Sequence, residues 1–133
     1  MKFFVISGDN TSCEEAPAYR FFKGRIFEAK RRYASKHGDY SVIVYPLGIV
    51  PPWRVLRKDS IMPVPTLTTR QAQWVDVLLP QFNAVLPKDT SEIVFLCSPK
   101  YHAHVAPYLV KAGFKVSAPL DHKTQEEQLE FLR

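Results

Sequence analysis

Glu92-Ile93-Val94-Phe95-Leu96-Cys97-Ser98-Pro99 is the stretch that decides the architecture. Residues 93 to 97 form a continuous apolar run, without the polar alternation of a strand that has one wet face, so the segment reads as a strand buried on both sides. Pro99 suits the first turn of a helix, where its missing N–H has no intrahelical acceptor to satisfy. Tyr101, Val105, Tyr108, Leu109 and Ala112 then keep helical spacing as far as Gly113. A buried strand running straight into a helix is half of a βαβ unit, and such units build parallel sheets.

The same pattern recurs to both sides. Phe3-Phe4-Val5-Ile6 is an apolar run closed by Ser7-Gly8, and Phe22, Ile26, Ala29 and Tyr33 mark a helix from Phe22 to about Lys36, with Gly38 just beyond its end. Tyr40 to Tyr45 is β-branched and aromatic and stops at Pro46, which makes it the second strand. Thr68 or Thr69 is placed to cap a helix carrying Trp74, Val75, Val77, Leu78 and Leu79, kinked at Pro80 before Phe82 and Val85. Phe114 to Ala118 is a short fourth strand, and Thr124 opens a last helix through Gln128, Leu129, Phe131 and Leu132. Residues 46–68 hold Pro46, Pro51, Pro52, Pro63 and Pro65, which exclude a helix or a central strand. A connection of that length either covers the core or faces a ligand. The expected fold is α/β: a Rossmann-like three-layer sandwich with a mainly parallel four-stranded sheet, one domain over residues 1–133.

Composition agrees with a single globular unit. The chain has 133 residues, 46% hydrophobic and 23% charged, enough to bury one core without metals or crosslinks. Two cysteines, Cys13 and Cys97, sit in unlike surroundings and read as free thiols, which favours a reducing compartment. The apolar start at Phe3 to Ile6 is too short for a secretory leader, and no run is long enough to span a membrane, so a cytoplasmic location without membrane attachment is expected. The net charge is +5, and it is lopsided: residues 1–70 carry twelve Lys and Arg against six Asp and Glu, the remainder six against seven. A basic half raises the expectation of an anionic partner, nucleic acid or a nucleotide, against the alternative that these cations only solvate a helix.

No dinucleotide fingerprint or phosphate loop accompanies Gly8 or Gly48, and His102 and His104, two residues apart, lack a cysteine pair to complete a zinc site. Neither a metal nor a cofactor is expected. Parallel sheets bind ligands beyond the carboxyl ends of their strands, where Ser7 to Asn10, Pro46 to Gly48 and Cys97 to Tyr101 converge. Asp9, Asn10, Tyr19, Gly48, Ser98 and Tyr101 are therefore expected in one pocket. Asp9 and Asn10 would read a polar edge, Tyr19 or Tyr101 would stack on a ring, and Ser98 would donate a hydrogen bond beside Lys100. Asp9 and Cys97 are the candidate reactive groups, although without a base beside it Cys97 reads better as a small buried apolar side chain than as a nucleophile. Arg20, Lys23 and Arg25, interleaved with Tyr19, Phe21 and Phe22, combine stacking with phosphate neutralisation, and Arg54 and Arg57 with Lys58 add a second basic patch. Arg25, Lys30, Arg31, Arg32 and Lys36 spread over both flanks of the helix stripe instead of forming one basic face, so several of them are expected only to snorkel.

Tyr19 to Ala29, with Gly24 and Phe27, then Leu47-Gly48-Ile49-Val50-Pro51, Tyr101, Pro119-Leu120, and Glu127-Gln128-Leu129 with Phe131-Leu132, occur in an order that resembles a family of small uncharacterised phage and bacterial α/β domains. More distantly, Leu47 to Pro52 is similar to a stretch in archaeosine synthase, which modifies a base in transfer RNA, and in the peroxide stress protein YaaA. The resemblance implies a nucleic-acid-associated domain that binds a base or nucleotide, related to tRNA and DNA base-modification proteins. Two other expectations stand beside it: a small enzyme that cleaves or transfers at the glycosidic bond of free nucleotides or nucleosides, and a non-catalytic interaction module.

Overall fold

The computed structural model describes residues 1–133 apart from Asn10 and Ser12. A five-stranded sheet occupies its centre. β1 (Lys2–Ile6) lies between β3 (Asp39–Val44) and β6 (Glu92–Leu96), parallel to both, and β7 (Lys115–Ser117) extends the parallel set beyond β6. β4 (Gly48–Val50) closes the other edge, antiparallel to β3. A separate antiparallel ribbon pairs β2 (Glu15–Pro17) with β5 (Val55–Arg57). The helices are α1 (Ala18–Phe21), α2 (Arg25–His37), α3 (Thr68–Gln73), α4 (Val75–Val85), α5 (Pro99–His102), α6 (Ala106–Lys111) and α7 (Gln125–Phe131).

Strand alternation distributes the apolar runs to two faces, which is why those runs are continuous. Phe4, Ile6, Val42, Val44, Val94 and Leu96 meet Phe27, Ala29 and Ala34 of α2 and Leu132 next to α7. Phe3, Val5, Ile43, Ile93 and Phe95 meet Val75, Leu78 and Phe82 of α4, with Val105 and Leu109.

The four expected strands lie in one sheet, and a fifth lies where none was expected. Pro46 and Pro51 bar a central strand between them, but three of the four residues they frame, Gly48 to Val50, can still pair at an edge. Gly48 makes the reversal possible at φ +97°, and a Cβ there would collide with the Gln81 side chain. Gln81 of α4 pins the turn, accepting from the Ile49 N–H at 2.9 Å and donating to the Leu47 carbonyl at 2.8 Å. Gly48→Ala should therefore lower stability by about 1–3 kcal/mol through backbone strain, read as a shift in the denaturant midpoint.

Helix ends also depart from the sequence pattern. The segment expected as one helix from Pro99 to Ala112 is broken between α5 and α6, because Pro107 cannot donate within a helix and must sit in the first turn of a new one. The helix around Trp74 divides at Trp74, and Pro80 is accommodated inside α4. Leu67, not a threonine, precedes α3, whereas Thr124 caps α7 as expected, in a reciprocal capping box with Glu127.

Candidate functional site

In chain order the parallel strands run second, first, third, fourth across the sheet, so the direction of winding reverses between β1 and β6. Loops leaving those two strands diverge to opposite faces, and the gap between them is where such sheets take ligands. A cleft of about 430 Å³ lies there. Ser7, Gly8 and Asp9 supply one wall from the end of β1, Cys97, Ser98 and Pro99 a second from the end of β6, and the start of α2 with the Leu120 to Lys123 turn closes it. Gly8 is required, because a Cβ at that position would run into the Phe22 ring.

At the floor is Lys30. Its side chain is 6% exposed and its ammonium donates to the Ser7 carbonyl at 3.1 Å. Burial holds its pKa below the ordinary lysine range, against the opposing pull of Cys97 and the Asp9 carboxylate. Lys23, Arg25 and Lys123 stand around the same cleft, against Asp9 and Asp121. Asp121 Oδ1 is 3.2 Å from Nε2 of His102, whose ring is buried and stacked on Phe95 at 5.2 Å. A buried imidazole thus fixes the direction of one of the two carboxylates.

Lys30 was grouped with cations of which several were expected only to snorkel, and the structure sets it apart. It falls three residues after Phe27 and four before Ala34, on the face of α2 that meets the sheet, so the apolar stripe carries it inward to the cleft and not out over the helix surface. That spacing was the available signal. Asp121 and Lys123 had none, because the turn that brings them to the cleft is set by the position of β7 at the sheet edge.

Of the residues expected in one pocket, Asp9 and Ser98 line the cleft together with Cys97, Lys23 and Arg25. Asn10 falls outside the described residues. Gly48 is buried against Gln81 at the β3–β4 turn, which folds back beneath α4 instead of reaching the gap between β1 and β6. Tyr101 is a core side chain, 8% exposed, with its ring 6.3 Å from Trp74, so it is not available to stack on a ligand. Burial, with the Asp9 charge adding to it, pushes its hydroxyl up to about 12. Lys100 is exposed, its ammonium 5.6 Å from the centre of the Tyr101 ring. Tyr19, Arg54 and Arg57 lie on or beside the β2–β5 ribbon, Arg57 facing Asp59 at 3.6 Å. Arg20 belongs to a shallower groove between α2 and α7, which shares Lys23 and Arg25 with the cleft.

Cys97 is 3% exposed, and burial drives its thiol far above the ordinary range despite the nearby lysine. A neutral thiol wedged into the core is what this surrounding stabilises, not a thiolate nucleophile. Cys13 is partly buried, and both cysteines are unpaired. Among the described residues no three His, Cys, Asp or Glu side chains cluster as metal ligands, and no helix is long and apolar enough to cross a membrane.

No curated protein and no solved structure matches the chain, so nothing in those comparisons joins it to archaeosine synthase or to the peroxide stress protein YaaA. Residues 3–133, almost the whole sequence, match a family of unknown function (DUF6884), and the chain belongs to that family.

Proposed function

We propose that the cleft binds a nucleotide, with the anionic group over Lys30 and the base toward Asp9 and Ser98, and that the chain is a nucleic-acid-associated domain of Rossmann-like type. The observation that carries this reading is Lys30: a buried ammonium that lines the cleft and, among the described residues, donates only to the Ser7 carbonyl, which leaves donor capacity for an anion entering the cleft. Lys23, Arg25 and Lys123 add a positive field where the approach is open. The volume suits a ligand of mononucleotide size. Base modification or glycosidic chemistry is a second reading, and what favours it is the exposed Asp9 carboxylate on the wall of the same cleft.

A thermal-shift panel of nucleoside monophosphates, the matching nucleosides and inorganic phosphate tests the proposal. A monophosphate at a hundred times its dissociation constant should raise the melting temperature by on the order of 10 °C, and the nucleoside by much less. Lys23→Ala with Arg25→Ala should weaken binding roughly tenfold and flatten its salt dependence. A panel in which nothing moves the melting temperature overturns the reading.

A further inference from the structure

The segment leading into β5 presents an aromatic side chain that burial does not explain. Trp53 is 74% exposed, and Tyr19 is 40% exposed close by in the backbone. This is not a loose loop. The carbonyls on either side of Trp53 are both taken by α1: Tyr19 N–H donates to Pro52 at 2.9 Å and Ala18 N–H to Arg54 at 2.8 Å. The same strand continues into β5, whose Leu56 is buried with Ala16, Ala18 and Phe21. The indole is therefore held out on a backbone clamped to the core, so little ordering entropy is lost when something covers it. Arg54 follows Trp53 and Arg20 follows Tyr19; both are exposed, and among the described residues neither has an ion-pair partner.

Two exposed rings, each next in sequence to an unpaired guanidinium, match the chemistry of single-stranded nucleic acid, in which every base offers a flat face and every link a negative charge. A duplex hides those faces; protein interfaces also use Trp, Tyr and Arg, but the twelve Lys and Arg against six Asp and Glu in residues 1–70 favour a polyanion. The geometry points to Trp53 and Tyr19 as a stacking platform for unpaired bases, with Arg54 and Arg20 on the adjoining phosphates. Arg20 also lines the groove that leads by Lys23 and Arg25 into the cleft, so the platform continues the same path. The inference extends the cleft's ligand from a nucleotide to a polymer, and rests on the cleft reading only for the class of partner.

Trp74 is 5% exposed and packed against Tyr45, so a change in accessible tryptophan emission reports Trp53. A short oligothymidylate should quench that emission and bind more tightly than thymidine monophosphate. Trp53→Ala should weaken oligothymidylate binding by roughly tenfold or more, Trp53→Phe by much less, with the melting temperature and the monophosphate-induced shift unchanged in both. Arg20→Ala with Arg54→Ala should lower the slope of log affinity against log salt. The platform is overturned if Trp53→Ala binds the oligonucleotide as wild type does, or if the wild type binds it no better than the mononucleotide. Quenching by the oligonucleotide without any mononucleotide shift would support the platform and sink the cleft reading instead, so the two fail separately.

Discussion

Leu96→Ala and Ile43→Ala should each lower the unfolding free energy by about 2–5 kcal/mol, and their effects should add in the double variant. Both side chains are fully buried, but they serve opposite faces: Leu96 packs in the layer with α2, Ile43 in the layer with α4. β1 stands between their strands, which at about 4.8 Å per strand places them beyond direct contact. Each truncation removes apolar contacts and leaves a void that close-packed neighbours fill only in part. Domains of this kind are stable by only about 5–15 kcal/mol, so the double variant should sit at or near the edge of folding. Urea titration of the two single variants and the double is the measurement. Midpoints close to wild type for either single variant would place that residue outside the core, and a clear shortfall from additivity would mean that the two layers relax together.

Lys30→Met should abolish the cleft's preference for anions, weakening monophosphate binding by about 2–5 kcal/mol, roughly thirtyfold or more. The variant keeps the length and apolar stem of the side chain, so it removes the charge without opening a large cavity. Stability should respond to pH in a defined direction. Because the folded pKa of Lys30 is lowered, the unfolded chain binds more protons between that value and the ordinary lysine pKa of 10.5. Wild-type stability should therefore rise with pH across this window relative to Lys30→Met, with the burial penalty fully present below it. An anionic ligand reverses the balance by favouring the ammonium, so binding in that window should take up a proton, measurable as a buffer-dependent heat. A flat difference in stability between the two proteins from neutral pH to pH 10 would mean that Lys30 is better solvated than its surroundings indicate.

The central sheet was legible because its strands are buried on both faces: Phe3 to Ile6, Tyr40 to Val44 and Ile93 to Leu96 are runs of a length and composition that few other structures accommodate. The β2–β5 ribbon was not. In three-residue strands such as Val55-Leu56-Arg57 only the middle side chain is buried, and one residue cannot establish a period. Half the cleft was legible for a topological reason: the turns after the first and third parallel strands must end on one edge, and Asp9, Cys97 and Ser98 line one cleft there. The same reasoning failed for Gly48, since it assumed that the chain leaves the second strand outward, whereas it turns back along that strand as β4. Lys30 was passed over by treating the cations of α2 as one class, although its place in the stripe set it apart from Arg31 and Arg32.

β4 and β7, the two outermost strands, are three residues long, and prolines stand just before and just after β4. An open strand edge is a template on which another chain can lay itself down, and the capacity of a template scales with its uninterrupted length. Here the long, apolar, adhesive strands β1, β3 and β6 are flanked by two short lips that can seat only a few hydrogen bonds of an incoming strand. Short, proline-bounded edges of this kind make a poor template for strand pairing between copies of the chain.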